Sequence, residues 1–414
     1  MGHGILIVGS SQAGVQLAGS LRALGWDDPI TLVGEENHRP YQRPALSKEF
    51  LQEKITKESL IFRAPEFWAE HRIDVIPNER IARVEKNADG SGVAYARSGR
   101  ELPFDRLALT VGARPRRLHL PGIDLPAVLY LRNADDALEL KARVPLMQNV
   151  VVIGGGFIGI EAAASLTTLG KTVTLIEAGE RLMGRAVGPD TAAYVLEQHR
   201  ANGIRIELGR APARIVGDGD RVTGVELDGE IIPADVVLVG IGVVPNTELA
   251  QTMGLHCDNG IVVDRYGVAS DGHTIAVGDV ANLPDPSPGA DPGARIRFES
   301  VNNAVEQAKV AAYALTGRPE EYASVPWFWS NQGDLKLQIA GLSGGADASV
   351  VRRDDEKGRH SVIYYRAGRL LAVDAINAPL DFIAVKGALA AGQTIPAAAA
   401  ADPGIPLKSL VGDA

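Results

Sequence analysis

Apolar residues occur in short runs along this chain, and two of these runs lead into glycine-rich turns of the same form. The first run, Ile5–Val8, is followed by GSSQAG, and the second, Val150–Ile153, is followed by GGGFIG. Each turn opens a stretch of helical spacing that ends at a leucine–glycine pair, with Gly25 and Gly170 at the same interval from the two turns. A further apolar run follows each pair, so the pattern predicts two strand–turn–helix–strand units and a duplicated nucleotide-binding domain.

Later apolar runs predict how these units are divided into domains. Asp105–Gly112 and Asp235–Gly242 are strands that close the two units, and Thr274–Asp279 again runs an apolar strand into an acid. This order implies that the second domain interrupts the first, which then resumes near residue 243. The predicted segments are 1–112 and 243–319 for the interrupted domain, 113–242 for the inserted domain and 320–414 for a third domain.

The third domain begins where the pattern changes, after about Pro319, to an alternation of apolar and polar residues. Alternation with a period of two is typical of antiparallel strands and predicts an antiparallel sheet. Before it, we expect a helix of mixed polarity over Arg295–Gln307 and a loop over Asp285–Gly293, which is rich in proline and glycine. The predicted strands of the sheet are Lys336–Ala340, Ser349–Arg353, Ser361–Tyr365 and Leu370–Ala375.

The glycine turns carry a candidate binding chemistry. The second turn, from Gly154, has all three glycines of the G-x-G-x-x-G pattern, whereas Ser11 replaces the middle glycine of the first. The first glycine permits the tight turn, the middle position lets backbone N–H groups approach a pyrophosphate, and the last lets helix and strand pack closely. An acid follows each turn at the distance where a ribose would be held, Glu35 and Glu177. Two such units suggest two dinucleotides in one protein, as a redox flavoenzyme requires.

Two acids near the second turn have more than one interpretation. A carboxylate at Glu177 can accept both hydroxyls of an adenosine ribose and would repel a 2′-phosphate, which favours NADH over NADPH. Arg181 or Arg185 could still lie close enough to offset that repulsion. Glu161 falls in the first turns of the helix, where the dipole favours an anion, so a dipole partner and a cofactor contact fit it equally well.

Two other segments carry candidate side chains. Arg39–Lys48 holds three cations around two prolines; they could meet a diphosphate or a flavin carbonyl, and a solvated basic loop fits the pattern as well. Trp327 and Trp329 are expected on one face of a strand. A ring beside a flavin and an ordinary core or interface aromatic are both open for them.

Composition narrows the class of protein. The chain has 414 residues, enough for two or three domains, and its formal net charge of −9 argues against nucleic-acid binding. No apolar run reaches the length of a membrane span, and no basic region precedes an apolar stretch at the N-terminus. The eight histidines show no metal-ligand spacing, so no metal site is expected.

Cysteine usage limits the redox chemistry. Cys257 is the single cysteine, which excludes an intramolecular disulfide and is compatible with a reducing cytoplasm. Flavoenzymes that reduce disulfides need two cysteines close together, and flavin peroxidases and coenzyme-A disulfide reductases of similar build use one shortly after the first acid. The corresponding segment here, Pro44–Ser47, has none. We therefore expect electrons to leave the flavin without thiol chemistry.

The chain resembles the NADH-dependent ferredoxin reductases of the putidaredoxin reductase type, flavoproteins that serve bacterial Rieske oxygenases and cytochromes P450. The likeness covers nearly the whole chain and rests on the two glycine turns with RPYQRPALSK, TVGARPR, TIAVGDVAN, RFESVNNAVEQA and VPWFWSNQGDLKLQIAGL. It implies a glutathione-reductase-like α/β fold: two Rossmann-like dinucleotide-binding domains, for FAD and for NAD, and a C-terminal α+β domain with an antiparallel sheet.

The resemblance also implies roles for individual residues. Lys48, Glu161 and Trp329 would influence the placement of nicotinamide and flavin. The implied FAD contacts are Gly9, Ser11, Ala13, Gly14, Glu35, Arg43, Lys48, Ala82, Thr110, Gly112, Arg132, Asp279 and Trp329. The implied NAD contacts are Gly155, Phe157, Ile158, Glu161, Glu177, Arg185 and Gly242. The chain departs from the family pattern at Ser11, which weakens the first motif, and at Asn331, where many relatives carry an aspartate.

The implied activity is hydride transfer from NADH to FAD, followed by release of electrons one at a time to a [2Fe–2S] ferredoxin that supplies a P450 or a Rieske oxygenase. An acidic ferredoxin would dock transiently on a basic surface, without nucleic acid or membrane, and we expect a cytoplasmic monomer or homodimer. Two alternatives are an NADH oxidase or peroxidase, disfavoured by the missing cysteine, and a protein like apoptosis-inducing factor that acts through partner binding. Candidate contributors to the basic surface are Arg295, Arg297, Lys336, Arg352 and Arg353.

Overall fold

The computed structural model describes residues 2–287 and 290–413. Its helices, numbered along the chain, are α1 (Gln12–Ala23), α2 (Pro65–Glu70), α3 (Ala134–Arg143), α4 (Phe157–Thr168), α5 (Pro189–Ala201), α6 (Glu248–Thr252), α7 (Val301–Leu315), α8 (Pro379–Ala390) and α9 (Ala397–Ala400). Short 3₁₀ turns lie at Glu58–Leu60, Val144–Leu146 and Leu407–Leu410.

The strands are numbered in the same way. Those of the first half of the chain are β1 (Ile5–Val8), β2 (Ile30–Val33), β3 (Ile73–Ile76), β4 (Ile81–Lys86), β5 (Gly92–Ala96), β6 (Glu101–Phe104), β7 (Arg106–Leu109), β8 (Ala113–Pro115), β9 (Val128–Tyr130), β10 (Asn149–Ile153), β11 (Thr172–Glu177) and β12 (Arg205–Leu208). The remainder are β13 (Arg214–Asp218), β14 (Arg221–Leu227), β15 (Glu230–Pro233), β16 (Val236–Val239), β17 (Val243–Pro245), β18 (Ile261–Val262), β19 (Ile275–Ala276), β20 (Ala281–Pro284), β21 (Arg295–Ile296), β22 (Trp327–Gln332), β23 (Leu335–Gly341), β24 (Ala348–Asp354), β25 (Arg359–Arg366) and β26 (Arg369–Ile376).

The chain forms two compact units, each assembled from separate segments. The first unit holds the residues up to Gln42 with Lys57–Arg114 and Val243–Ser324. The second holds Arg43–Thr56, Pro115–Gly242 and the residues from Val325 onward. This division groups residues 115–242 with the C-terminal residues, so the four domain segments expected from the sequence stay a prediction.

Each unit contains a five-stranded parallel sheet of the same construction. The order is β19-β7-β1-β2-β3 in the first unit and β12-β11-β10-β16-β9 in the second. The central strands β1 and β10 are continuous apolar runs because both faces of a parallel sheet are covered. A glycine turn and a helix follow each central strand, which confirms the duplicated α/β architecture.

The second unit also contains an antiparallel sheet, in the order β22-β23-β26-β25-β24. The four strands predicted after Pro319 are confirmed, each extended at both ends by one or two residues. Helix α8 covers one face of this sheet, where Phe382 and Val385 pack against Val373 and Ala375.

Between the parallel and antiparallel sheets, two predicted elements differ from the observed ones and a predicted loop is only partly described. The helix predicted over Arg295–Gln307 is wrong at its start, because α7 begins at Val301, where the Ser300 side chain accepts from the N–H of Asn303 and fixes the first turn. Arg295 lies instead in strand β21. The strand predicted over Thr274–Asp279 is shorter in the structure, where β19 covers Ile275–Ala276 alone. The loop predicted over Asp285–Gly293 includes residues 288 and 289, which lie outside the described residues.

Candidate active site

In the second unit, β10 passes into α4 through a turn whose first and last glycine positions fit no other residue. Gly154 has a φ of 113°, and a Cβ built there would lie 2.3 Å from the carbonyl oxygen of Gly240. A Cβ on Gly159 would lie 2.0 Å from the oxygen of Gly154, so this glycine lets the helix approach the strand. The middle glycine, Gly156, has no neighbour within 4 Å of a built Cβ, which leaves the mouth of the turn open.

The N-terminus of α4 is suited to an anion. No side chain caps it, and its first turn holds no acidic residue. The first N–H groups of a helix have no intrahelical partners and carry the positive end of the dipole, so they can hold a pyrophosphate. Phe157 and Ile158, which the resemblance assigns to NAD, are the first two residues of this helix.

Glu177 lies at the end of β11 and is fixed against the turn. Its Oε2 accepts from the N–H of Gly155 at 2.6 Å and its Oε1 from the N–H of Gly179 at 2.7 Å. The side chain is therefore oriented by backbone donors, which suits a carboxylate that receives ribose hydroxyls. Arg185 and Gly242, also assigned to NAD, lie together: a Cβ on Gly242 would be 3.1 Å from Nη2 of Arg185.

The first unit repeats the glycine turn between β1 and α1. Gly9 has a φ of 116°, and a Cβ on Gly14 would lie 2.0 Å from the oxygen of Gly9, as in the second unit. Thr110 donates its hydroxyl to the same oxygen at 2.7 Å. Ser11 is the N-cap of α1, with a φ of −99°, so this position does not require glycine. The α1 N-terminus likewise lacks a side-chain cap and an acid in its first turn, and therefore fits a pyrophosphate.

The other FAD candidates of the first unit are distributed around this turn. Ala13 lies beside Gly278, where a built Cβ would be 3.0 Å away, and Asp279 follows directly. Glu35 pairs with Arg80 at 3.1 Å, with both side chains more than half exposed. The structure places Ala82 on the exposed side of β4 and gives Gly112 a φ of 61°.

In the second unit, Glu161 is buried at 2% exposure and lies at the centre of a polar cluster. Its Oε2 accepts from Lys48 Nζ at 2.8 Å and from the Ser47 hydroxyl at 2.6 Å, and its Oε1 accepts from the Ser330 hydroxyl at 2.8 Å. A buried ion pair is tolerated only when further hydrogen bonds satisfy the charges. The structure thus gives Glu161 a specific cation partner, and Lys48 is held with only 7% exposure.

Further contacts anchor the segment that carries Lys48. Ser165, one turn after Glu161 on α4, donates its hydroxyl to the carbonyl of Ser47 at 2.8 Å and accepts from Gln52 Nε2 at 2.9 Å. Farther back in the same segment, Arg43 donates to the carbonyl of Arg132 at 2.9 Å. These bonds join residues for which the resemblance implied cofactor roles in two pairs, Arg43 with Arg132 and Lys48 with Glu161.

Aromatic rings of β22 line the region next to α4. Trp327 and Trp329 lie on one face of the strand, with ring centroids 5.4 Å apart, as the alternation predicted. The rings of Phe328 and Phe157 are 4.5 Å apart, so the strand packs on the start of α4. The sequence analysis missed Ser47 and Ser330. The alternation in WFWSNQ could have indicated Ser330, because it places residues 328, 330 and 332 on the face opposite to Trp329.

Two of the arginines suggested for a basic docking surface are wrong. The Arg352 side chain is 5% exposed and donates to Asp381 and to the carbonyls of Ala400, Asp402 and Ile405, so it holds the C-terminal residues. Arg297 is also enclosed and donates to the carbonyl of Asp279 and to Glu299. Their charges are used inside the fold, which a sequence pattern of single arginines does not reveal.

Within residues 2–287 and 290–413, no group of three or more histidine, cysteine, aspartate or glutamate side chains is arranged to hold a metal ion. Among the helices of this described part, none is both long enough and apolar enough to cross a membrane.

Comparisons with known proteins agree with this arrangement. The family model for pyridine nucleotide-disulphide oxidoreductases matches residues 3–308, and the model named Reductase C-terminal matches residues 327–411. Two parallel-sheet units with open dinucleotide turns define a flavin- and nicotinamide-dependent oxidoreductase. The chain belongs to the pyridine nucleotide-disulphide oxidoreductase family.

Relatives within that family are more specific. Rhodocoxin reductase of Rhodococcus erythropolis is 42% identical over 98% of this chain and 93% of its own length. Putidaredoxin reductase CamA of Pseudomonas putida is 36% identical over 98% and 96%. The crystal structure of the ferredoxin reductase for the CYP199A2 system of Rhodopseudomonas palustris matches with a TM-score of 0.93 at 39% identity, covering 99% of both chains. The predicted resemblance to ferredoxin reductases is confirmed, and with it the fold class.

Proposed function

We propose that this protein is an FAD-dependent reductase that takes electrons from NADH and passes them singly to a [2Fe–2S] ferredoxin serving a cytochrome P450 or a Rieske oxygenase. The observation that carries this proposal is the buried pair between Lys48 and Glu161, the latter on the helix that follows the second glycine turn. The pair fixes a cation and an anion one turn beyond the proposed pyrophosphate site, where they can orient the reacting rings.

The chain's own residues supply binding and placement. The two uncapped helix N-termini would hold the pyrophosphates, and the lack of a Cβ at Gly14 and Gly159 lets each helix lie close to its strand. FAD, when bound, supplies the chemistry that accepts a hydride and releases electrons one at a time. Lys48 and Glu161 hold their positions through buried hydrogen bonds. The reaction itself needs no general acid or base.

The surroundings of Cys257 and Ser47 favour a protein over a thiol as the group that receives electrons from the flavin. Cys257 is the single cysteine of the chain and lies in the first unit, where burial raises the pKa of its thiol. A raised pKa lowers the thiolate fraction that thiol chemistry needs. Ser47, in the segment where related peroxidases carry a cysteine, is committed to Glu161 instead. Two relatives named above are reductases of proteins that their names identify, rhodocoxin and putidaredoxin.

The choice of NADH over NADPH rests on Glu177. A 2′-phosphate would meet a carboxylate that backbone donors hold in place, and the electrostatic repulsion would weaken binding. We also propose a cytoplasmic location, which the single cysteine supports because a reducing compartment keeps a lone thiol free.

A coupled assay tests the proposed function. The holoenzyme is mixed with NADH, a [2Fe–2S] ferredoxin and cytochrome c, and cytochrome c reduction is followed. We expect fast reduction that requires the ferredoxin, and a lower rate when NADPH replaces NADH. NADH consumption that follows added peroxide and is indifferent to the ferredoxin would instead identify a peroxidase.

A further inference from the structure

A chain of buried polar groups continues from Glu161 into the interior of the second unit. Ser330, which donates to Oε1 of Glu161, is itself 3.1 Å from Nε2 of Gln332. Oε1 of Gln332 is 3.0 Å from Nε2 of His199 on α5. Ser330 and Gln332 are fully buried and His199 is 1% exposed, so each hydrogen bond of the chain replaces one that water cannot supply.

The carboxylate of Glu161 fixes the direction of every hydrogen bond in this series of buried polar groups. An ionised Glu161 can only accept, so Ser330 must donate its single hydroxyl proton to Oε1. The Ser330 oxygen must then accept from the amide Nε2–H of Gln332, which turns the amide oxygen of Gln332 toward His199. That oxygen can only accept, and His199 must therefore carry a proton on Nε2.

The same reasoning defines the state of His199. Its Nδ1 is buried and has no hydrogen-bond partner among the residues that the structure describes. Burial lowers the pKa of this imidazole, which favours the neutral form. A neutral ring with its proton on Nε2 satisfies Gln332 and leaves the unpartnered nitrogen without a proton.

We propose that Ser330, Gln332 and His199 are positioning residues for the Glu161–Lys48 pair. We call these three residues the relay. Through Ser330 the relay presents a hydrogen-bond donor to Oε1 of Glu161, and this orients the carboxylate so that Oε2 meets Lys48 and Ser47. Bonds that point the same way also polarise one another and strengthen the hold on the negative charge. The inference rests on the proposed function, because it assigns these residues to placement of the nicotinamide beside Glu161.

The relay is tested by flavin reduction in single-turnover experiments with NADH. Gln332→Met keeps the length of the side chain and removes its donor and acceptor, and Ser330→Ala removes the hydroxyl. We expect each holoenzyme to retain FAD and to lose about tenfold or more in the rate at which saturating NADH bleaches the visible flavin band, with a smaller change in the apparent dissociation constant for NADH.

The double variant separates a relay from two independent packing effects. If Gln332 acts through Ser330, then Ser330→Ala with Gln332→Met should be no slower than Ser330→Ala alone. Ser361→Ala is the matched control, because Ser361 is a buried serine of the same antiparallel sheet whose hydroxyl has no partner among the described residues. Additive losses in the double variant, or an equal loss in Ser361→Ala, would overturn the proposal; Ser330→Ala alone against Ser361→Ala decides it if Gln332→Met does not fold.

A spectroscopic measurement is independent of turnover. Nitrogen-15 NMR of histidine-labelled holoenzyme, with His199 assigned by His199→Gln, should show a neutral ring protonated on Nε2. The bias toward this tautomer should weaken in Ser330→Ala, where the direction of the Gln332 amide is no longer fixed. A ring protonated on Nδ1 in the unaltered protein contradicts the relay. Failure of NADH to reduce the unaltered protein would instead refute the proposed function and leave the tautomer result unaffected.

Discussion

Helices α1 and α4 match in length, in the turn before them and in their packing glycine, and differ in what their side chains do. Each has 12 residues, follows a glycine turn and packs on its central strand through a glycine whose Cβ would lie 2.0 Å from a carbonyl oxygen. Two residues after that glycine, α1 carries Gln16 and α4 carries Glu161. Gln16 donates to Ser20 on its own helix at 2.9 Å, whereas Glu161 receives three side chains from other segments. The duplicated scaffold presents the same proposed pyrophosphate site twice, and the difference between Gln16 and Glu161 adds a charged centre to the second copy.

The ends of β2 and β11 show a second difference between the two copies. Val33 pairs with the last residue of β1 and Ile176 with the last residue of β10, so Gly34 takes the place of Glu177. A Cβ on Gly34 would lie 2.0 Å from the Ser10 hydroxyl, and a Cβ on Gly155 would lie 3.1 Å from the Glu177 side chain. Between the turn and the neighbouring strand there is space for one side chain. Ser10 of the turn fills it in the first copy, and Glu177 of the strand fills it in the second. Glu35, one residue later, is consequently free of the turn.

The largest expected effect tests the assignment of FAD to the first copy and NADH to the second. Gly14→Ala and Gly159→Ala introduce the same clash with a carbonyl oxygen, and overpacking of this kind costs about 1–3 kcal/mol. We expect Gly14→Ala to lose FAD during purification and Gly159→Ala to keep FAD while its affinity for NADH falls strongly. Visible absorbance and NADH titration measure the two outcomes. Loss of flavin from Gly159→Ala with retention by Gly14→Ala would reverse the assignment.

The next effect concerns how the second copy is joined to the antiparallel sheet. Asp374 is 1% exposed and accepts from Tyr364 at 2.6 Å and from the N–H of Gly188, the N-cap of α5, at 3.3 Å. Burial raises the pKa of Asp374 to about 6. Neither α5 nor the corresponding helix of the first copy, α2, has a side-chain cap, so Asp374 contacts the start of α5 through the N–H of its N-cap residue alone.

A raised pKa in the folded state makes the ionised carboxylate unfavourable there. Stability should therefore decrease as the pH rises from about 4 to about 6 and remain lower above that range. Asp374→Asn keeps the acceptor and removes the charge, so it should add up to about 3 kcal/mol to the unfolding free energy near neutral pH and almost nothing near pH 4. Denaturant unfolding at both pH values measures this, with Asp190→Asn, an exposed acid of α5, as control. An equal gain at both pH values would show that packing and not ionisation is responsible.

Glu161→Gln tests the charged centre that distinguishes α4 from α1. The amide keeps the shape but loses the charge that holds Lys48 and brings N–H donors against donors. We expect FAD to remain bound and the rate of flavin reduction to fall about thirtyfold, equivalent to about 2 kcal/mol. Gln16→Ala, at the matching position of α1, is the control and should reduce at the normal rate. Equal losses in both variants would show that the centre adds nothing to the scaffold.

The sequence predicts the parts of this molecule that follow from local pattern. The glycine turns, the leucine–glycine helix ends and the period-two strands are read from residues near one another, and the duplicated parallel sheets and the antiparallel sheet are confirmed. The start of α7 was missed because a serine N-cap outweighs the polarity pattern on which the helix was predicted.

The polar cluster depends on contacts across more than a hundred residues and is not encoded in any window of the sequence. Lys48 and Glu161 are 113 positions apart, and Ser330 is 169 positions from Glu161. Glu161 therefore fitted a dipole partner as well as a cofactor contact until its partners were known. The same limit applies to Arg352, a candidate contributor to the docking surface from the sequence, which the fold places among carbonyl oxygens.

The smallest effect sharpens the difference between the two strand ends. Glu177→Ala removes the carboxylate that Gly155 and Gly179 hold, so the Michaelis constant for NADH should rise about tenfold, near 1.4 kcal/mol, while flavin content stays normal. Discrimination against NADPH should decrease in parallel, because the repulsion of a 2′-phosphate is lost. Glu35→Ala, at the other strand end, should change FAD retention and leave the Michaelis constant for NADH unaltered. If Glu177→Ala instead releases flavin, or leaves the kinetics with both nucleotides unchanged, Glu177 has no role in holding the ribose and the two strand ends differ in packing alone.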